Sequence, residues 1–217
     1  MAMLLGPTYT KRRSAAIIIS KGALRHPVKG IMQKLKIAII IGSTRPGRKG
    51  KSVGDWVFEQ AGRRDDAEFT LIDLADEELP FLDEPHIPSA NKYSHEHTIS
   101  WAAKIAPFDG YLIITPEYNH AANAALKNAL DMLYREWNDK VAAFVGYGSW
   151  GGARAIESLR LNCSALKMAV VSNQVGIITA TEFEGNQFIP SERQERALDG
   201  TIKELLRWGG AFKTLRN

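Results

Sequence analysis

Ile113-Ile114-Thr115-Pro116-Glu117-Tyr118-Asn119 sets a β-branched run against an abrupt polar turn. Proline fixes φ and has no N–H, so such a turn is stiff. Tyr118 offers a flat face, and Asn119 an amide that both donates and accepts hydrogen bonds. This combination suits a planar ligand with polar edges, held where the carboxyl end of a strand meets a turn.

A second candidate loop is Gly42-Ser43-Thr44-Arg45-Pro46-Gly47-Arg48-Lys49-Gly50-Lys51-Ser52. Small residues let backbone N–H groups approach an anion, and a following helix start adds its positive dipole end. Ser43, Thr44 and Ser52 add hydroxyls, Arg45, Arg48 and Lys51 add charge, and Gly50 keeps the backbone accessible. A phosphate is the expected guest; a basic surface turn is the alternative. Gly50-Lys51-Ser52 resembles the end of a P-loop, but that motif requires glycine where Arg45 stands.

The third loop, Gly146-Tyr147-Gly148-Ser149-Trp150-Gly151-Gly152, has G-x-G-x-x-G spacing. As a dinucleotide fingerprint it should follow the first strand, with an acid about 20 residues on. It follows the fourth strand instead, and no acid stands near 171.

These loops punctuate an alternating α/β pattern. Strands are expected at Lys36–Ile41, Glu68–Leu74, Tyr111–Thr115, Val141–Gly146 and Ala169–Ile178. Helices are expected from Ser52 to about Arg63, from about Ser94 to Ala106 and from Ala121 to about Trp137. A further helix carries Ile156, Leu159, Cys163 and Leu166, and a last one starts near Ser191, where Ser-x-x-Gln marks a capping box. The Lys36–Ile41 run is near-continuously apolar, as expected of a strand buried on both faces. Five strands with intervening helices imply a three-layer α/β sandwich, and right-handed crossovers a doubly wound parallel sheet.

Pro116-Glu117-Tyr118-Asn119, followed by Leu126-Lys127-Asn128-Ala129-Leu130-Asp131, resembles the NADPH-dependent FMN reductases, which include quinone, chromate and azo-dye reductases. The Leu79–Pro85 stretch and Gly151-Gly152-Ala153-Arg154 share the resemblance, which runs from about Leu35 to about Arg207. It implies a flavodoxin-like fold with strand order 2-1-3-4-5. It also implies bound FMN, with NADPH or NADH as hydride donor. The 116–119 turn (Pro116, Glu117, Tyr118, Asn119) and the 148–152 loop (Gly148, Ser149, Trp150, Gly151, Gly152) would border the flavin ring, and a second subunit would close the cleft rim as a homodimer or tetramer.

The cofactor supplies the redox chemistry in such a protein. We therefore expect cofactor-binding residues, a small-molecule electron acceptor and no protein catalytic residue. A flavodoxin-like electron carrier and a Rossmann-type dehydrogenase are the alternatives. Flavodoxins are strongly acidic, whereas Arg45 and Arg48 make this loop basic. His95-Glu96-His97, with His86 and Asp83, raises a metal site, but a polar loop entering a helix explains them, and no metal is expected. His120 reads as a ligand neighbour or a polar helix start. Arg154 reads as a structural, capping or subunit-contact residue.

The chain has 217 residues and a net charge of +4. Residues 1–31 hold six of the basic residues (Lys11, Arg12, Arg13, Lys21, Arg25 and Lys29) and no acid. The remainder is slightly acidic, so the overall charge gives no footprint for nucleic acid. No apolar run reaches the roughly 18–20 residues that span a bilayer. The single cysteine, Cys163, excludes an intrachain disulfide and fits a reducing, cytoplasmic compartment. Met32, directly before the first strand, reads as a natural start. Residues 1–31 are expected to be an upstream or expression-derived extension, a transit peptide or a functional arm, and 32–217 the reductase domain.

Overall fold

The computed structural model describes residues 34–216, and the expectation for 1–31 lies outside them. In chain order the elements are β1 (Leu35–Ile41), α1 (Gly50–Gly62), β2 (Ala67–Asp73), a short α2 (Leu74–Glu77), α3 (Glu96–Ile105) and β3 (Gly110–Pro116). They continue with α4 (Ala124–Asp131), β4 (Val141–Gly148), α5 (Ala153–Ala165), β5 (Ala169–Ile178), the hairpin β6 (Phe183–Glu184) and β7 (Gln187–Phe188), and α6 (Glu192–Lys213).

The five long strands form one parallel sheet in the order β2-β1-β3-β4-β5, as the resemblance implies. Strand alternation divides the core into two layers. Ile37, Ile39, Ile41, Leu112, Ile114 and Val145 face Val53, Trp56 and Val57 of α1 and Leu198, Ile202 and Leu205 of α6. Ala38, Ile40, Tyr111, Ile113 and Phe144 face Trp101 and Ile105 of α3, Leu126 and Leu130 of α4, and Ile156 and Leu159 of α5. β3 and β4 are central and buried on both sides, which is why their sequences are apolar without alternation. The chain leaves β1 first toward β2 and later toward β3. The carboxyl ends of β1 and β3 therefore flank the switch point where open α/β sheets bind ligands.

Between Ala142 and Phe144 the β4–β5 register shifts, because Val170 pairs with Ala142 but Gln174 with Phe144. The N–H groups of Ser172 and Asn173 that this bulge removes from the ladder donate to the Glu204 carboxylate at 3.3 and 2.8 Å. A bulge supplied with side-chain acceptors is a stable feature, and here it sets Gly176 beside Gly146 under the third loop.

The expected helix from Ala121 to Trp137 is shorter than the pattern implied. Asn119 and His120 both have positive φ, 50° and 68°. The Tyr118 N–H donates to Ala121 O at 2.9 Å, and the Ala121 N–H to Tyr118 O at 3.0 Å. Two central residues with positive φ and reciprocal bonds make a primed two-residue turn. The helix starts only at Ala124. It stops at Asp131 because indoles take its last carbonyls: Trp101 Nε1–H donates to Ala129 O at 2.9 Å, and Trp137 Nε1–H to Leu130 O at 3.1 Å. Leu133 and Trp137 are buried as the spacing required, but Trp137 ends a 3-10 turn, Arg135–Trp137.

At the other end of the chain, Gln194 Oε1 accepts the Ser191 N–H at 2.9 Å, and α6 begins where its capping box predicts. The β6–β7 hairpin is absent from the sequence reading. Gly185-Asn186 between Phe-Glu and Gln-Phe was its signal, and Gly185 takes φ 58°.

Candidate functional site

Three loops meet at the carboxyl ends of β1, β3 and β4. Asn123 ties the first to the second: its Nδ2 donates to Gly42 O at 2.6 Å, while the Gly42 N–H donates to Ile114 O at 2.9 Å. Asn123 stands at the N-cap position of α4, yet its side chain caps nothing there and is spent on the neighbouring loop. The Glu117 N–H donates to Tyr147 O at 2.9 Å and joins the second loop to β4.

Between them lies a cavity of about 230 Å³ lined by Arg45, Lys49, Pro116, Glu117, Tyr118, Tyr147, Gly148, Ser149 and Thr179. Among the described residues, no backbone or side-chain acceptor takes the N–H groups of Ser43, Thr44, Arg45, Asn119, His120, Ser149 or Trp150. Among the described residues Arg45 makes no ion pair, and Lys49 has only the Gly185 carbonyl and the Phe183 ring, 4.4 Å from its Nζ. A concentration of unused donors around two cations without acidic partners has the chemistry to hold an anion.

Tyr147 sits beneath this loop. Its hydroxyl is buried without a partner among the described residues. Burial pushes the phenol up to about 12, opposed first by the neighbouring Ser43 hydroxyl and then by the Arg45 and Arg48 charges. A Cβ on Gly50 would lie 2.6 Å from that hydroxyl, so Gly50 is required for the tyrosine to pack under the helix start. Buried polar atoms are nearly always bonded, and an orphan at a donor-rich cleft fits a ligand with phosphate oxygens. Ser43 is also buried, with Oγ 3.4 Å from the Tyr118 hydroxyl.

The structure brings Ser43, Arg45, Pro116, Glu117, Tyr118, Gly148 and Ser149 to the cleft. Thr44 instead lines a second cavity, with Leu74, Glu78 and Asn128. Arg48, Lys51 and Ser52 depart from the phosphate reading. Arg48 pairs with the buried Asp73, which also caps α2 through the Ala75 N–H at 3.1 Å. Lys51 pairs with Asp55 one helical turn on, in solvent. Ser52 Oγ faces the hairpin, 2.8 Å from Asn186 O, and accepts the Phe188 N–H at 3.1 Å. Asp73 lies 25 residues beyond Arg48, so charge alone could not show that pair, whereas Asp55 stands at helical i,i+4 spacing from Lys51.

Glu117 does not project into a ring pocket. Its side chain is 4% exposed, and it accepts the Arg154 N–H at 3.1 Å and the Arg154 guanidinium through Nε at 2.5 Å. Gly151 and Gly152 are buried at φ 66° and 72° and shape the third loop beneath its surface. A Cβ on Gly148 would come 3.1 Å from Glu117 Cβ. Asn119 and Trp150 are exposed at the rim, Trp150 by 73%. Lys49, Tyr147, Thr179 and Asn123 were missed. Lys49 and Tyr147 lay inside motifs already noted, but nothing in the sequence marked Thr179 or the tie made by Asn123.

His97 Nε2 lies 2.9 Å from Asp83 Oδ1, and the His95 and His97 rings stack with centroids 5.3 Å apart. Among the described residues, no three His, Cys, Asp or Glu side chains are grouped to hold a metal ion.

Comparison with known proteins agrees with this geometry. An NAD(P)H-dependent FMN reductase of Schizosaccharomyces pombe is 41% identical over 137 residues, 62% of this chain and 68% of its own. A 2-hydroxy-1,4-benzoquinone reductase of Burkholderia sp is 28% identical over 80% of this chain and 96% of its own. The fold is shared with the flavoenzyme NAD(P)H:(acceptor) oxidoreductase FerB of Paracoccus denitrificans, with a TM-score of 0.65 at 23% identity over 82% of this chain and 98% of that one. The family model for NADPH-dependent FMN reductase matches residues 35–182, which contain all three loops. With that match, the chain belongs to the NADPH-dependent FMN reductase family and is an oxidoreductase.

Proposed function

We propose that the chain holds FMN in the cleft between the loops after β1, β3 and β4, with NADPH or NADH as donor. The acceptor would be a quinone; azo compounds, metal oxyanions and free flavin form the wider class. The observation that carries this reading is the convergence of unpaired N–H groups with Arg45 and Lys49 on one cavity. Arg45, Lys49, the Ser43–Arg45 N–H groups and the Tyr147 hydroxyl would hold the phosphate. Pro116, Tyr118, Gly148 and Ser149 would bound the ring, and the Ser149 and Trp150 N–H groups act as fixed dipoles for negative charge at its polar edge. Bound FMN supplies the hydride chemistry, so no side chain is assigned as an acid or base. The name of the Burkholderia relative supports a quinone.

Tyr118 and Trp150 remain exposed at the rim, and Phe81 and Ile87 project from the 79–94 loop. A second copy closing that rim in a homodimer or tetramer accounts for these exposed apolar groups, and light scattering would detect it. We take 1–31 as an extension, because the segment holds no acid and none of the three loop motifs; FMN titration of the truncated chain tests this. No described helix is long and apolar enough to cross a membrane, and we place the protein in the reducing cytoplasm.

The deciding experiment is denaturation of the purified protein, chromatography of the released pigment, and steady-state NADPH consumption with an added quinone. FMN and quinone-dependent turnover are expected. Bound FMN without turnover would favour an electron carrier. A colourless protein that fails to take up FMN would defeat the reading.

A further inference from the structure

The turn after β3 is gripped from two sides by one residue of α5. Below, the Arg154 N–H and guanidinium bind the buried Glu117 carboxylate. Above, Arg154 Nη1 lies 2.8 Å from His120 Nε2. An arginine N–H can only donate, so Nε2 must present its lone pair and the ring proton must sit on Nδ1. His120 stands at φ 68° beside Asn119 at φ 50°. Consecutive left-handed non-glycine residues are costly and persist only where surrounding contacts hold them. Asparagine tolerates this region well, whereas histidine needs more support.

We propose that Arg154 is a positioning residue for the cleft. It clamps the Pro116–Ala121 turn to the Gly148–Gly152 loop through Glu117 and His120, and the upper half of the clamp closes only when His120 is neutral. The proposal rests on the FMN reading, because that turn carries Tyr118 and the free N–H groups of Asn119 and His120. Among the described residues, the charged groups reaching this imidazole are the Arg154 guanidinium from α5 and, through it, Glu117 from its own turn. A protonated His120 has no acceptor to offer Arg154 and repels it. The turn then loses one of two tethers, and ring contacts should loosen once the imidazole is protonated.

The test is an FMN fluorescence titration of the flavin-free protein between about pH 8 and about pH 5.5. The wild type should lose roughly three- to tenfold in affinity toward acid, as expected for one charge-assisted hydrogen bond at an exposed site. In His120→Gln the amide oxygen replaces Nε2 as a pH-independent acceptor, so affinity should match wild type near pH 8 and fall less than wild type toward acid, keeping only the loss that protonation of the FMN phosphate imposes on both. Arg154→Lys, which loses the fork, should bind more weakly at every pH. An acid loss in His120→Gln equal to wild type, or a flat wild-type profile, would overturn the pH-dependent clamp. The tautomer is read independently by long-range ¹H–¹⁵N correlation on wild-type protein without flavin. The Nδ1–H form at neutral pH is expected, and Nε2–H overturns the clamp whether or not FMN binds. If no FMN binds at any pH, the functional reading fails and the tautomer alone decides the clamp.

Discussion

Gly152→Ala is expected to destabilise the protein by about 2–4 kcal/mol and to remove FMN binding with the third loop. Two costs add. Gly152 has φ 72°, where an L side chain costs roughly 1–2 kcal/mol. The new Cβ would also sit 2.6 Å from Tyr147 N and 2.7 Å from Gly146 C and Cα. Those are backbone atoms of a central strand paired on both sides, so they have nowhere to go. Gly185→Ala separates the two costs. Gly185 has φ 58° but nothing within 4 Å of its built Cβ, so only the conformational cost of about 1–2 kcal/mol applies there. Urea unfolding of both variants reads the difference. Equal losses would mean that the close approach at Gly152 relaxes freely.

The legible parts of this fold were those in which one residue type has one physical use. The β-branched runs of β1, β3 and β4 admit little besides buried parallel strands, and their expected limits lie within two residues of the observed ones. The Ser191/Gln194 box marked the start of α6 because its partners are local. Failure came where one local signal fits two structures, or where its partner decides the outcome. Asn119 and His120 stand before an alanine-rich run and look like a helix entry. Their positive φ becomes evident only once Tyr118 and Ala121 are seen to pair. The residues after Asp131 keep helical spacing and stay buried. The helix stops where Trp101 of α3 and Trp137, from the segment expected to continue the same helix, take its carbonyls, and spacing cannot register that.

The site divides along the same line. The loop positions were legible, because glycine and proline after apolar runs mark the carboxyl ends of strands. The assignment of individual cations was not. Arg45, Arg48, Lys49 and Lys51 are equivalent as charges within one loop, and only the structure shows that two of them are already paired with Asp73 and Asp55. Glu117 illustrates the converse: read as a ring contact, it is the buried acceptor that orders Arg154 and the start of α5. A carboxylate there is favoured by the helix dipole as well as by the guanidinium.

The division of labour among those cations gives the second large effect. Arg45→Ala with Lys49→Ala should weaken FMN binding at least tenfold while leaving the fold intact. Each charge-assisted phosphate bond contributes roughly 1.5–3 kcal/mol, and neither side chain has a carboxylate partner among the described residues to strand. Arg48→Ala should do the reverse. It leaves Asp73, whose side chain is 7% exposed, with the Ala75 N–H as its remaining partner. Breaking one side of a buried pair costs about 3–5 kcal/mol. The lower end is expected here, because Arg48 is itself partly exposed and its Nε has no partner to lose. FMN fluorescence titration and urea unfolding, run on both variants, measure the two quantities side by side. If Arg48→Ala loses more FMN affinity than the double variant at unchanged stability, the phosphate belongs to Arg48 and its pair with Asp73 yields when the ligand binds.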